Sequence, residues 1–461
     1  MIISQLKQWF DLDQAVALLA ATRLWQFLSA PVTLVLLSSF FSEERRGDYY
    51  TFIGLLAAQS LIDLGLSGII VLLASHESAG PSACRTYVQG DERAKSRLNR
   101  LYRFSTNWYR SCAILYVLAI GSVGFVVLAT DNTSHADFQV NTAIPWVFCI
   151  AINACSFLHL PMISLLEGCH ELVAVNRMRL GQAISGTVVV WFSIAVGADL
   201  WTLVISNAVR LSWEVYLIRH AYSKFFKSLS GNIGQSELDW RSEIWPLQWR
   251  LAIQSVGGYL SSWFIVPAVR GLQGKVAAGQ LGMTWQVLTN IQSVSFAWVH
   301  TKLPGFGKLA AAGSYAKIRA GMWKSGILSL AIVFAGVACL LLGLECADLA
   351  GLSLSSSFAP ISAILFFAGS MIAVQIATIQ HSYVRLFKRD PFLLQNIGGA
   401  LLSAGVIWWF GGRYSLVGLS ACYCLACWLY SVPLSTFIVI RHNSNLEATD
   451  MTPEPANGET K

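Results

Sequence analysis

Five ionisable side chains lie inside stretches that are otherwise apolar: Arg23, Asp63, Arg210, Glu214 and Arg250. An ionised group at the centre of a bilayer costs about 2.5–3.5 kcal/mol on insertion scales, so each needs a partner or a watery cavity. Helical spacing gives several of them polar neighbours on the same face. Gln59 and Asp63 are i, i+4, and Asn207, Arg210 and Glu214 are i, i+3, i+7. Arg250 and Gln254 share a stripe with Gly257 and Ser261, and Gln286, Asn290 and Ser293 form another. Such stripes fit helices that line a shared lumen, with Gln59, Gln254 and Asn290 as its polar lining. A guanidinium keeps its charge and grips phosphate through two parallel donors, so Arg23, Arg210 and Arg250 at similar depth suit an anion such as a diphosphate. Asp63 and Glu214 are the candidates for a coupling ion, because a carboxylate in a low dielectric readily holds a proton. Plainer roles stay open. Arg250 is near enough to the interface to snorkel, Arg210 and Glu214 can neutralise each other, and Asp63 can make a structural hydrogen bond.

The elements that must carry these residues are membrane helices. Of 461 residues, 55% are hydrophobic and 12% charged, against roughly 25% charged in a soluble domain. Apolar runs near the ~20 residues needed to cross a bilayer recur along the chain. They fall at about 15–41, 49–75, 108–130, 143–166, 179–197, 199–218, 248–270, 276–300, 322–344, 358–380, 392–410 and 413–440. The expected fold is therefore all-α and integral to the membrane, with about twelve transmembrane helices. The loop after the sixth run divides them into two bundles of six, at residues 1–225 and 248–441, with a cytoplasmic linker at 226–247 and a polar, disordered tail at 442–461. A pseudo-twofold relation between the halves around a central lumen follows the pattern of many secondary transporters. Pro161 should kink the fourth span, and Gly257-Gly258 should loosen the seventh.

The net charge of +7 matters less than its placement. Alternate loops hold Arg85, Arg93, Lys95, Arg97, Arg100 and Arg103, then Arg177 and Arg179, then Arg219, Lys224, Lys227 and Arg241, then Lys308, Lys317 and Arg319, then Arg385, Lys388 and Arg389. The opposite loops hold only Arg45, Arg46, Arg270, Lys275 and Arg413. Positive residues stay cytoplasmic, so both termini are expected inside. These loops serve topology and contact with anionic lipid, not nucleic acid. Asp11 and Asp13 precede a first run too long for a cleaved signal peptide. The ten cysteines imply no disulfide framework. Asn132-Thr133-Ser134 is a sequon on an external loop. Of the 17 tryptophans, Trp108, Trp146, Trp201, Trp245 and Trp408 sit at span ends as interface anchors, while Trp25, Trp191, Trp213, Trp263, Trp285 and Trp298 lie within spans or near their ends, where some could stack on sugars and packing is the plainer role.

Catalytic signatures are missing. Gly305-Phe306-Gly307-Lys308 lacks both the spacing and the Ser or Thr of a phosphate-binding loop. No His-Glu-x-x-His, nucleophile elbow or paired external carboxylates occur, so neither catalytic residues, a metal site nor a cofactor are expected. The external loops are too short for a catalytic domain.

Several stretches resemble the polysaccharide flippase branch of the multidrug/oligosaccharidyl-lipid/polysaccharide exporter (MOP) superfamily. They are Phe41-Ser42-Glu43-Glu44-Arg45-Arg46-Gly47-Asp48-Tyr49-Tyr50-Thr51-Phe52, Asp63-Leu64-Gly65-Leu66 and Ser164-Leu165-Leu166-Glu167-Gly168. Trp245-Pro246-Leu247-Gln248-Trp249-Arg250 with Gly258-Tyr259, and Ala278-Gly279-Gln280-Leu281-Gly282-Met283, complete the set. His170 departs from the small residue often seen after the Glu-Gly pair. The resemblance implies two six-helix bundles opening alternately to each side of a bacterial inner membrane. It also implies a polyprenyl-diphosphate-linked oligosaccharide as cargo, a proton or sodium gradient as drive, and polysaccharide polymerase or assembly proteins as partners. A multidrug or metabolite cation antiporter of the same superfamily is the alternative, and a membrane glycan polymerase or ligase a more distant one. An antiporter of cations should prefer an acidic, aromatic cavity, whereas here arginines outnumber acids among the buried candidates.

Overall fold

The computed structural model of the chain describes residues 14–77, 83–84, 87–88, 92–129, 139–229, 244–311, 314–351, 354–387 and 391–450. Asp11 and Asp13, the sequon at Asn132, most of the expected linker, and Arg85, Arg241, Lys388 and Arg389 lie outside the described residues.

Each of the twelve expected spans coincides with a helix or a broken helix. The first is α1 (Gln14–Phe40). The second is in three pieces, α2 (Glu43–Leu56), α3 (Gln59–Asp63) and α4 (Leu66–Glu77). A two-residue antiparallel ladder, Ala83–Cys84 with Tyr87–Val88, precedes α5 (Glu92–Ala129). The helix runs without a break from Glu92, well before the expected start of the third span at about 108. Then come α6 (Ile144–Gly168), α7 (Leu172–Ala195), α8 (Trp201–Tyr216) and the short α9 (Ser223–Leu229). The seventh span is split into α10 (Trp245–Ser262) and α11 (Ile265–Gln273), and α12 (Lys275–His300) follows. Short α13 (Leu303–Ala311) leads to α14 (Tyr315–Leu349), α15 (Ile361–Arg385), α16 (Leu393–Gly411), α17 (Leu416–Ala426) and α18 (Val432–Asp450). Helical backbone through Asp450 takes up the first part of the expected tail, and 451–461 lie outside the described residues.

Among the described residues, eight helices are long and apolar enough to cross a membrane, or nine if the bent pair at 43–77 is one span. Three expected spans fall short of that measure for physical reasons. α8 has 16 residues, the seventh span is broken, and α12 carries Gln280, Gln286, Asn290 and Gln292 along its length.

The breaks have local causes. Ser42 caps α2 by accepting from the Arg45 amide at 3.3 Å, with Glu43 and Glu44 in the first turn where the helix dipole favours them. The second span then bends by 49° at Leu64 and Gly65, both at positive φ (51° and 70°). Gly65 suits this conformation, and a Cβ there would also lie 2.5 Å from the Leu251 Cβ. The seventh span breaks at Trp263-Phe264 rather than at Gly257-Gly258, which stay helical within α10. α6 ends in a left-handed turn at His170 (φ 64°), where the Glu171 amide reaches the Leu166 carbonyl. This position favours glycine, which gives the unusual His170 a structural setting.

The chain packs as two compact units, Met1–Met283 and Thr284–Lys461. In the first, α1 packs on α7 and is pinned by tryptophans. Trp25 Nε1 donates to the Ala183 carbonyl at 3.2 Å, and Trp191 Nε1 to Thr33 Oγ1 at 2.9 Å. α6 packs against α4, α5 and α8, while α11 packs on α2 and α10 on α3. Small residues let these backbones approach: a Cβ on Gly279 would lie 2.9 Å from the Gly47 nitrogen. In the second unit, Ser295, Ser329 and Gln375 form a buried hydrogen-bonded trio, with Ser295 and Ser329 hydroxyls 2.7 Å apart and Gln375 Nε2 2.7 Å from Ser329 Oγ. A second apolar cluster there gathers Val299, Phe306, Ile318, Met322, Tyr383, Val384 and Phe392.

Candidate functional site

The broken second span brings polar groups to a cavity of about 580 Å³ in the first unit. α3 supplies Gln59, Ser60 and Asp63, α6 supplies Asn153, α8 supplies Ser206, Asn207 and Arg210, and Trp263 closes the ring from the break in the seventh span. Ile53, Leu56, Ala57, Leu160 and Leu203 form the apolar remainder. The volume is that of a ligand site, and polar and apolar residues share its walls about equally. Irregular backbone at membrane depth is tolerated where it lines such a space.

Asp63 is held on both oxygens. The Tyr109 hydroxyl, from α5, donates to Oδ1, and Ser67 Oγ donates to Oδ2 at 2.8 Å across the helix break. Asn153 donates to the Cys149 carbonyl of its own helix at 2.8 Å, which leaves its side-chain oxygen for other donors. The Arg210 side chain is exposed, and among the described residues no carboxylate lies within ion-pair distance of it. Glu214, one turn further along α8, is buried. Its Oε1 accepts from Gln182 Nε2 at 3.4 Å, and its Oε2 lies 3.8 Å from His159 Nδ1.

Of the residues expected from sequence, Gln59, Asp63 and Arg210 therefore meet in one cavity. Glu214 is set behind it. Arg23 is exposed on α1 and bonds Gln26, one turn on, at 3.4 Å. Arg250 is exposed on α10 with its guanidinium 5.5 Å from the Trp249 ring centre. Neither arginine is among the cavity's lining residues. Gln254 is half-buried on α10, and Asn290 is half-buried on the part of α12 that belongs to the second unit. Sequence reasoning missed Asn153 and Ser206, and it missed the Tyr109 contact to Asp63. The only signal for Asn153 was an amide within an apolar run.

A second group of charges lies elsewhere in the first unit. Arg270, on α11, is fully buried and ion-paired with buried Asp48 on α2. It also donates to the carbonyls of Val127 (3.3 Å) and Leu128 (3.4 Å) in the last turn of α5. Arg45 joins this group through Asp199 (3.1 Å), Asp48 (3.6 Å) and Thr142 (3.1 Å). Burial pushes the carboxyl of Asp199, in the turn between α7 and α8, above the usual carboxylate range, and Arg45 pulls the other way.

No protein-family model and no curated sequence matches the chain. Solved structures do. An inward-facing multidrug resistance MATE family transporter of the MOP superfamily aligns over 91% of this chain and 99% of its own, at 10% identity and a TM-score of 0.60. A MATE protein in a bent conformation aligns over 95% and 97%, at 14% identity and a TM-score of 0.56. A MOP superfamily transporter from Pyrococcus furiosus, described as having a binding pocket of reversed polarity that suggests a different function, aligns over 95% and 96% at 12% identity and a TM-score of 0.54. These likenesses are of fold, and they give this multi-pass, helical membrane protein the fold of the MATE transporters of the MOP superfamily.

Proposed function

We propose that the protein is an exporter that works by alternating access and that its cargo is a polyprenyl-diphosphate-linked oligosaccharide, moved from the cytoplasmic to the outer leaflet of a bacterial inner membrane. The observation that carries this reading is Arg210, a guanidinium facing a membrane-embedded cavity with no carboxylate within ion-pair distance among the described residues. A fixed positive charge in that setting favours a diphosphate, which it can grip through two donors. Amides and hydroxyls of Gln59, Ser60, Asn153 and Asn207 surround it, with the Trp263 ring beside them. Hydroxyl-rich sugars bind to such mixtures of hydrogen-bonding groups and aromatic faces. The Pyrococcus furiosus neighbour, for which reversed pocket polarity suggests a different function, supports the idea that this fold accommodates more than one class of cargo.

The remaining parts of the proposal rest on charge placement, for the termini, and on the resemblance to the MOP superfamily, for the bundles and the driving gradient. Both termini are cytoplasmic, the two halves act as six-helix bundles about a lumen, and a proton or sodium gradient drives the cycle through Asp63 or Glu214. Gln254 and Asn290, with Arg23 and Arg250, are proposed to face the lumen in other states of the cycle. Polymerase or assembly proteins would take up the cargo outside.

A second reading rests on a specific observation. Asp63 brings a carboxylate to the same cavity, and neighbours of the same fold are described as multidrug resistance transporters. Export of organic cations fits that acid. Deleting the gene in its host and extracting polyprenyl-linked intermediates separates the two readings. Build-up of complete oligosaccharide-lipid with loss of surface polysaccharide is the expected result. An unchanged surface glycan with accumulation of cationic dyes would replace the first reading with the second.

A further inference from the structure

The first unit holds two carboxylates within its spans, Asp63 and Glu214, that the sequence offers as candidates for an ion site, and their surroundings differ. Asp63 has a hydroxyl donor on each oxygen, Tyr109 on one and Ser67 on the other. Glu214 accepts on Oε1 from the Gln182 amide, at 3.4 Å. Its second oxygen is buried and has no hydrogen-bond partner. Facing it at 3.8 Å is His159 Nδ1, also buried and also without a partner. Buried polar atoms are nearly always satisfied, so two orphans turned toward each other need an explanation.

We propose that Glu214 and His159 together form a proton-binding site, and that Asp63 is a structural staple across the break in the second span. One added proton satisfies both orphans. On the imidazole it gives Nδ1–H a carboxylate acceptor, and on the carboxyl it gives the imidazole nitrogen an O–H donor. The 3.8 Å gap exceeds hydrogen-bond length, so a small side-chain adjustment accompanies uptake. The balance is simple: one proton enters from water, no bond other than that to the proton forms or breaks, and the pair gains one positive charge. A divalent hard cation is the poorer occupant, since calcium and magnesium take six or more oxygens. Here an imidazole nitrogen fills one side, and among the described residues no three His, Cys, Asp or Glu side chains cluster as metal ligands.

The site is placed to communicate with the cavity. Leu160, next to His159, and Arg210, one turn before Glu214, both line the cavity wall. Gln182 donates to Glu214 and, at 2.9 Å, to the Arg210 carbonyl. The charged groups acting on the pair are Arg210 from α8 and Arg219 from the turn that follows it. From α6, the Ser156 hydroxyl acts on the carboxylate at a distance, with no hydrogen bond between them. From α7 the group that faces it is the neutral Gln182, and Arg179 there is ion-paired with Glu167 of α6. As a coupling site the pair rests on the transport reading above, but the binding of the proton itself needs no cargo.

That independence sets the test. Purified full-length protein in lipid nanodiscs, without substrate, is titrated while difference infrared spectra follow the carbonyl stretch of a protonated carboxyl and the imidazole ring modes. The native protein should show a reversible titration involving both. Glu214→Gln should remove the carboxyl band, Asp63→Asn should leave it, and His159→Gln should move its midpoint by about one pH unit or more, as interacting groups do. A band that survives Glu214→Gln, a band lost in Asp63→Asn, or a native protein with no titrating band overturns the proposal. Gel filtration reports folding. Should Glu214→Gln fail to fold, His159→Gln decides alone, and an unmoved midpoint there is fatal. If the titration behaves as expected while gene deletion leaves the polyprenyl-linked intermediates unchanged, the proton site stands and the cargo reading falls.

Discussion

Arg270 and Arg210 both sit in the first unit, yet their surroundings are opposites. Arg270 is fully buried, paired with Asp48, and its other donors meet carbonyls in the last turn of α5. The last turn of a helix ends in carbonyls that point out of it, and a cation near them also complements the helix dipole. Arg210 is exposed on the wall of a cavity, and Glu214, the nearest acid on its helix, faces Gln182 and His159 instead. A buried charge whose donors are all met holds structure together. A charge left facing water is available to a ligand. The same residue type thus does two jobs, and the partners tell them apart.

Variants can break this contrast. The largest effect is expected for Arg270→Ala, which leaves buried Asp48 with only the partly exposed Arg45 at 3.6 Å and should cost up to about 3–5 kcal/mol of stability. Thermal unfolding of the purified protein measures it, and Arg270→Ala combined with Asp48→Ala should recover part of the loss in a double-mutant cycle. Full additivity of the two would mean that the pair is not the source. Arg210→Ala should do the reverse, unfolding within about 0.5 kcal/mol of the native protein but binding polyprenyl diphosphate more weakly. Charge-assisted hydrogen bonds of about 1.5–3 kcal/mol correspond to a loss of roughly ten- to a hundredfold in affinity. Arg210→Lys should restore only part of it, because an ammonium lacks the planar fork. Gly65→Ala sharpens the contrast by disturbing the backbone with no change of charge. Strain at positive φ should cost about 1–2 kcal/mol, read as lower stability accompanied by faster amide exchange around the break. The smallest effects are expected for Arg23→Ala and Arg250→Ala, each within about 0.5 kcal/mol in stability. Both should weaken headgroup binding less than Arg210→Ala does, and an equal loss at either would place that arginine in the same binding site.

Much of the helix plan was legible because apolar runs report bilayer thickness directly. What the sequence hid were the places where a span stops being one helix. Asp63-Leu64-Gly65-Leu66 stood out as a motif, but Leu64 has no intrinsic preference for a left-handed backbone, and a single glycine does not announce a 49° bend. Gly257-Gly258 drew attention in the seventh span, whereas the break falls at Trp263-Phe264. Within the site, the stripe of Asn207, Arg210 and Glu214 was right about the helix face but silent about depth. Glu214 lies about 10 Å along the axis from Asn207, beyond the stretch of α8 that lines the cavity. His159 was invisible as its partner because the two meet between helices, and intrahelical spacing carries no information about such pairs. Asp48 was passed over for the same reason.

The Arg270–Asp48 pair also constrains how the chain is assembled. α11 has nine residues, too few to cross a bilayer unaided, and an unpartnered arginine adds about 2.5–3.5 kcal/mol to its insertion. Its counter-charge is on α2, more than 200 residues nearer the start of the chain. During synthesis that carboxylate emerges first and waits for the seventh span with only Arg45 of its own helix, 3.6 Å away, to balance it. Biogenesis of this region is therefore ordered from the amino end, with the early helices serving as the template on which the later half-helix is retained in the membrane.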